Sequence, residues 1–258
     1  MSQENKFNKE FLPVTIFYCG TIIILSIISK TYENSPFIKN IKLDYKKVIK
    51  KHEFWRLITT FFYIGKFSPK FFFKFFLYFR RIKSNETKFI KRKKLAEFIM
   101  MLIYLMIIIH IFNFIGYYYF KIKINSFLSH QLMFSIILIN SKREPNKLFR
   151  FYFFQIENRY VPFFLFSYRV AKNGDKILNH MISFIPGLAY YWLKDEGPRS
   201  GIINNILITP KFFVDFIEEN YYKKKKKNKR KSDKKNDINS MKNNNDNSDL
   251  NSNNINNS

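Results

Sequence analysis

Apolar runs and basic connectors alternate along this chain, and the length of each run is the first informative signal. A hydrocarbon core about 30 Å thick needs roughly 20 apolar residues in a helix. Phe98 to Phe120 meets that requirement without a formal charge, and Phe11 to Ser29 does the same near the N terminus. Two Lys and two Glu precede the N-terminal run, which is longer than a signal-peptide core and is followed by no clear small-x-small cleavage site, so it reads as an uncleaved anchor. Ile177 to Leu193 is a third uncharged run.

Three further runs are interrupted. Leu57 to Phe79 contains Lys66, Lys70 and Lys74, Ser126 to Asn140 contains His130, and Tyr160 to Tyr168 ends at Arg169. Together the six predict an all-α membrane protein with six transmembrane helices. A charge at mid-bilayer costs about 2.5 to 3.5 kcal/mol on insertion scales, so the three lysines need an account. Their i, i+4, i+8 spacing puts them near one stripe of a helix, which suits a hydrated groove. The competing reading is lysines snorkelling to headgroups, with Ser68-Pro69 breaking the segment.

Connectors set the orientation. Arg80 to Lys94 is a compact loop with eight Lys or Arg, and the positive-inside rule assigns it to the cytosol, together with both termini and the loop from Ser141 to Arg159. The basic loop from Lys30 to Glu53 votes the other way. Its apolar Phe37, Ile38, Ile41 and Leu43 instead suit a segment lying in the interface. Beyond the last span, Thr209 reads as an N-cap with Pro210 in the first helical turn, and Phe212, Phe213, Phe216 and Ile217 share one face of a surface-lying helix. From Tyr221 the sequence becomes Lys/Asn-rich low complexity, read as a disordered tail. Its run Lys223 to Lys231 is a solvated charge run first, and an attractor of anionic lipid before it is a nucleic-acid site.

Composition agrees with lipid contact. Aromatic residues make up 19%, including 32 Phe and 16 Tyr, and the formal net charge is +26, while a mean hydropathy of −0.24 averages two unlike populations. The single cysteine, Cys19, excludes an internal disulfide framework and any multi-cysteine metal site. The four histidines are too scattered for ligand spacing, so no metal or cofactor is expected.

The stretch His52-Glu-Phe-Trp-Arg-Leu-Ile-Thr-Thr-Phe-Phe-Tyr-Ile-Gly65 resembles the Trp-Arg segment that opens the second helix in the Derlin family. Others follow in register: Phe71 to Arg81, Ala96-Glu97-Phe98, Ile139-Asn-Ser-Lys-Arg-Glu-Pro145, Tyr190-Tyr-Trp-Leu-Lys-Asp195 and Leu207-Ile-Thr-Pro210. Their order and spacing carry the resemblance from about residue 11 to 217. It implies a rhomboid-like fold without protease activity and a role in endoplasmic-reticulum-associated degradation, recognising misfolded clients and assisting their retrotranslocation across a locally thinned membrane. It also implies partners, a membrane ubiquitin ligase and a cytosolic AAA ATPase. The glycine-rich ATPase-binding motif of some Derlins is absent from Lys223 to Ser258. Localisation to the endoplasmic reticulum is expected, as no targeting extension is evident before Phe11.

Within that pattern Trp55 and Arg56 are the expected interface anchors, Trp55 by its amphipathic ring and Arg56 by binding carbonyls or lipid phosphate. The small-xxx-small pair for helix packing is Ser183 and Gly187, with Pro186 between them as a kink. The alternative is an active rhomboid protease with Ser129 as nucleophile and His180 as base. Rhomboids carry Gly-x-Ser-Gly, whereas this chain has Phe127-Leu-Ser-His-Gln131, which leaves Ser129 as an ordinary helix N-cap and His180 as an interface residue. A transporter would need paired carboxylates or inverted repeats, and neither is found. The expected organisation is a membrane domain over 1–206, an interfacial helix over 207–222 and a cytosolic tail over 223–258.

Overall fold

A computed structural model describes residues 12–31, 37–121, 127–151, 154–173, 177–204 and 206–223. The chain divides into two compact units, Met1–Ile208 and Thr209–Ser258. In the first, the helices are α1 (Pro13–Thr31), α2 (Phe37–Ile41), α3 (Tyr45–Lys51), α4 (Trp55–Thr59), α5 (Pro69–Lys91), α6 (Leu95–Tyr118), α7 (Ser129–Arg143), α8 (Val161–Asn173), α9 (Ile177–Tyr191) and the single turn α10 (Gly197–Arg199). A π-helical segment, Trp192–Glu196, links α9 to α10. The second unit holds α11 (Lys211–Ile217), followed by a further π-helical segment, Glu218–Lys223. The tail from 224 on, including most of the Lys223 to Lys231 run, lies outside the described residues.

The fold is mainly helical. One departure from the all-α expectation is a two-stranded antiparallel hairpin, β1 (Leu148–Phe151) and β2 (Phe154–Glu157), paired with Leu148 opposite Glu157 and Phe149 opposite Ile156. The connector was expected to be irregular; pairing inside it satisfies backbone groups that would otherwise need other partners.

Two described helices are long and apolar enough to cross a bilayer, α1 with 19 residues and α6 with 24. At 1.5 Å per residue they measure about 28 and 36 Å. Both are apolar on their outer faces as well: Ile16, Phe17 and Ile24 on α1, and Ile103, Ile107 and Ile111 on α6, are exposed. Large aliphatic and aromatic side chains displayed in ranks suit contact with lipid tails rather than water.

At the centre stands α7, in which Ser129 and every residue from Gln131 to Ser141 are buried. It packs against α9, α8, α6 and α5. Buried amides cross-link it to α6: the Asn113 amide donates to Gln131 Oε1 at 2.6 Å, and the Gln131 amide returns a bond to Asn113 Oδ1 at 3.2 Å. A reciprocal amide pair fixes both rotation and height between two otherwise greasy helices.

The second expected span is corrected by the structure. Leu57 to Phe79 is not one helix: α4 ends at Thr59, and α5 begins at Pro69. The reason is local. Ser68 is the N-cap of α5, its Oγ accepting from the Phe71 N–H at 3.3 Å, and Pro69 supplies a preset φ where no backbone donor is needed. Lys66 therefore stands outside the helix, and the expected three-lysine stripe is reduced to Lys70 and Lys74 in its first two turns. The basic loop from Arg80 to Lys94 is also corrected, because α5 runs through it to Lys91. Charged residues with good helix propensity extend the helix past its apolar part. The cap of α11 shifts by one residue, to Pro210, whose ψ of 136° leaves it extended while Lys211 enters the helix.

Extension of α5 has a structural result. Glu86, fully buried, accepts from the Val14 N–H at 2.9 Å, the Thr15 N–H at 2.7 Å and the Thr15 hydroxyl at 2.6 Å. It caps α1 from another helix, satisfying two first-turn donors and meeting the positive end of the helix dipole. Glu86→Gln keeps the shape but replaces an acceptor with a donor facing N–H groups. The expected loss is about 1 to 3 kcal/mol, read as a lower Tm of the detergent-solubilised protein.

Candidate functional site

The Trp-Arg segment divides into a clamp and a buried thread. Arg56 is 1% exposed, whereas its neighbour Trp55 is 53% exposed. The Arg56 guanidinium pairs through Nε with Glu53, and its Nη1 donates to the carbonyls of Lys39 at 2.6 Å and Lys42 at 2.9 Å. Those carbonyls belong to α2 and the residues just after it, so Arg56 ties the first connector onto α4. Its expected partners included carbonyls or lipid phosphate; carbonyls are what it meets. Ile41 and Leu43 from that connector are buried, so part of it joins the core instead of lying free in an interface. His110 of α6 completes the tie: its Nε2 faces the Leu57 carbonyl at 2.8 Å and so carries the proton, leaving Nδ1 to accept from the Tyr45 hydroxyl at 3.2 Å.

After α4 the chain runs without regular structure through Phe61, Phe62, Tyr63 and Ile64, all buried. Irregular backbone in such surroundings persists only when its polar groups find partners. Thr60 accepts from the Leu128 N–H at 3.0 Å, the Phe61 carbonyl accepts from the Tyr18 hydroxyl at 3.0 Å, and the Tyr63 carbonyl accepts from the Ser129 hydroxyl at 2.7 Å. Ser29 and Tyr63 join their hydroxyls at 2.8 Å. α1 and the start of α7 thus grip this thread from two sides.

That geometry corrects the N-cap reading of Ser129. It is the first residue of α7, Leu128 being the cap, and its hydroxyl serves the Tyr63 carbonyl while the residue is fully buried. His180 lies on α9, and its side chain falls outside the described part of the structure.

Ser183 and Gly187 lie on α9, facing the central helix. Ser183 is buried, and a Cβ at Gly187 would stand 2.9 Å from Ser135 Cα and 3.1 Å from the Ser135 carbonyl oxygen. Only a hydrogen fits there. α9 runs through Pro186 as one helix. At its far end Arg143 of α7 binds Asp195 of the π-helical segment, Nε to Oδ2 at 2.9 Å and Nη2 to Oδ2 at 2.8 Å. Two segments that carry the family resemblance, 139–145 and 190–195, therefore meet through an ion pair. Neighbouring Glu144 takes Lys88 of α5 at 2.7 Å and Lys147 at 3.4 Å. Burial would raise the Glu144 carboxyl, but the two lysines outweigh it and hold it below the usual range.

The expected lysine groove is not assembled as one face. Lys70 is exposed and Lys74 half-buried at the start of α5, and Lys66 is exposed on the preceding segment. Sequence reasoning missed Glu86, His110, Tyr63 and the Arg143–Asp195 pair. Position inside a resembling segment was the available signal for the last two.

Comparison with known proteins places these features in one context. The Der1-like family matches residues 12–211. A probable derlin-2 homolog of Dictyostelium discoideum is 28% identical over 180 residues, 68% of this chain and 68% of the relative. Derlin-2.1 of Arabidopsis thaliana is 29% identical over 196 residues, 74% and 79% of the two chains, and Derlin-1 of Oryza sativa subsp. japonica is 26% identical over 216 residues, 81% and 83%. The Arg56 clamp, the Ser135–Gly187 contact and the Arg143–Asp195 pair all fall inside the matched span.

Proposed function

Since the chain belongs to the Der1-like family, we propose that it is a component of endoplasmic-reticulum-associated degradation that recognises misfolded proteins and assists their retrotranslocation to the cytosol. The family match across residues 12–211 carries this reading. Helix lengths support the mechanism: α7, α8 and α9 have 15, 13 and 15 residues, or about 22, 20 and 22 Å, against a hydrocarbon core of about 30 Å. Six spans, α1 and α5 to α9, would leave both termini in the cytosol. Short helices thin the bilayer around them, and a thinner layer lowers the cost of passing unsatisfied peptide groups, several kcal/mol each. Lys66, Lys70 and Lys74 would hydrate one membrane face rather than line a single helical stripe. Trp55 would seat its ring at the interface beside the Arg56 clamp, and the tail beyond 223 would extend into the cytosol.

Partners in this reading are misfolded clients, a membrane ubiquitin ligase and a cytosolic AAA ATPase. Depleting the protein should slow degradation of misfolded membrane and luminal clients, and re-expression should restore it. Unchanged client half-lives on depletion would overturn the assignment.

The reading requires no nucleophile. Ser129→Ala should retain client degradation and cost about 1 to 3 kcal/mol of stability, because the buried Tyr63 carbonyl loses its donor. Wild-type protein in liposomes should leave a transmembrane reporter substrate intact. Cleavage that disappears with Ser129→Ala or His180→Ala would establish a protease instead.

A further inference from the structure

A cavity of about 300 Å³ opens between α5, α7, the β-hairpin and α8. A water occupies roughly 30 Å³ of liquid, so this space is far larger than a hydration site and reaches the lower range of ligand pockets. Its lining is of two kinds: Leu77, Met133, Phe134, Ile137 and Leu165 are apolar, whereas Arg80, Arg81, Ser84, Lys88 and Lys147 are basic or polar. Tyr78 meets His130 at 2.6 Å and Lys88 meets Glu144 at 2.7 Å, so α5 and α7 run in the same direction; along α5, Arg81 lies about 5 Å and Lys88 about 15 Å from Tyr78.

Arg81 is the informative residue. Its guanidinium stacks on the Phe149 ring, 4.2 Å from the centroid, and its Nη2 is shielded from solvent and has no hydrogen-bond partner among the described residues. A guanidinium nitrogen so placed costs stability unless something accepts from it. Glu144, close by on α7's end, is already shared by Lys88 and Lys147. The guanidinium of Arg81 suits a planar fork around a phosphate.

We propose that this cavity binds the phosphate headgroup of an anionic phospholipid, held by Arg81 and the flanking basic residues, with the first part of an acyl chain along Leu77, Phe134 and Leu165. The cavity is too small for a whole diacyl lipid, so the remainder of the ligand stays in the bilayer. A free phosphate would satisfy the basic residues and leave the apolar lining uncovered, which is why the lipid is preferred. The inference rests on the chain lying in a membrane and is independent of its role in degradation.

The test uses the full-length protein purified into nanodiscs of phosphatidylcholine containing a minor fraction of phosphatidic acid, with retained lipid counted by native mass spectrometry. Wild type should retain phosphatidic acid over phosphatidylcholine. Arg81→Gln should reduce that retention at least about tenfold, as the loss of a charged hydrogen bond to an anion predicts. Ser84→Glu, which places a negative charge at the exposed rim, should do the same without touching the buried guanidinium, so it gives the result if Arg81→Gln fails to fold. Lys83→Gln removes a charge from an exposed α5 position outside the cavity and should have little effect. Equal retention by wild type and either cavity variant would overturn the proposal, as would an equal loss with Lys83→Gln, which would mean general surface attraction. Displacement of phosphatidic acid by millimolar inorganic phosphate would reassign the site to the free anion.

Discussion

Gly187→Leu is expected to keep α9 from seating on α7. The ideal Cβ position already lies 2.9 Å from Ser135 Cα and 3.1 Å from the Ser135 carbonyl oxygen, both of them backbone, and Leu138 Cδ2 stands at 3.1 Å. A rotamer change relieves only the last of these. The two helices would have to move apart, and α7 is the element on which α5, α6 and α8 also rest. Overpacking in a yielding core costs about 1 to 3 kcal/mol, and an obstruction by backbone should exceed that range. Leu188→Ile supplies the control, because Leu188 is 37% exposed on the same helix. Gly187→Leu should lower yield, Tm in detergent and client degradation together, with Leu188→Ile close to wild type. Similar melting of the two variants would mean that the α7–α9 contact loosens in the membrane.

Arg56→Ala should be the second severe change. It strips donors from the Lys39 and Lys42 carbonyls and leaves the Glu53 carboxylate, 18% exposed, without its cation. Breaking a buried pair from one side costs about 3 to 5 kcal/mol, most of it the stranded charge. Arg56→Lys should recover only part, since a single ammonium does not reproduce a fork that reaches three acceptors. Trp55→Ala should change stability by less than about 0.5 kcal/mol, because the ring is more than half exposed. The readouts are Tm and limited proteolysis of the connector over 37–54. Early cleavage there in Arg56→Ala but not in Trp55→Ala is the expected pattern; equal resistance would mean that the connector is held by its apolar residues alone. Client degradation separates the roles further, since Trp55→Ala should impair it, if at all, through the interface and not through folding.

The uncharged runs were legible from the chain alone. Phe98 to Phe120 became α6 and Phe11 to Ser29 became α1, because length and continuous apolarity leave a helix few alternatives. The first interrupted run was not, although its signal was present: Ser68-Pro69 is a strong helix start, and reading the apolar residues across it joined two elements. Arg80 to Lys91 was hidden for the opposite reason. Charge suggests a loop in a membrane protein, yet lysine and arginine are good helix formers, and α5 simply continues. For Arg56 the sequence left carbonyls and lipid phosphate open, and which carbonyls it meets, those of Lys39 and Lys42, depends on the fold of the preceding connector. The Ser129–Tyr63 and Arg143–Asp195 contacts link residues 66 and 52 positions apart, and no periodicity in one sequence encodes such pairs.

The contact between Glu86 and the start of α1 also orders events in time. Val14 and Thr15 emerge from the ribosome early, but their acceptor follows 71 residues after Thr15. At about 5 to 20 residues per second, roughly 4 to 14 s pass before that carboxylate exists. During this interval the first helix has its length and its apolar surface but no cap, so its leading amides must borrow water or headgroup oxygens. Biogenesis of this chain therefore begins with a helix inserted provisionally and locked only when the fifth helix arrives. A chain truncated before Glu86 should keep its anchor in the membrane yet expose the N-terminal turn to protease, and one extended past it should be protected.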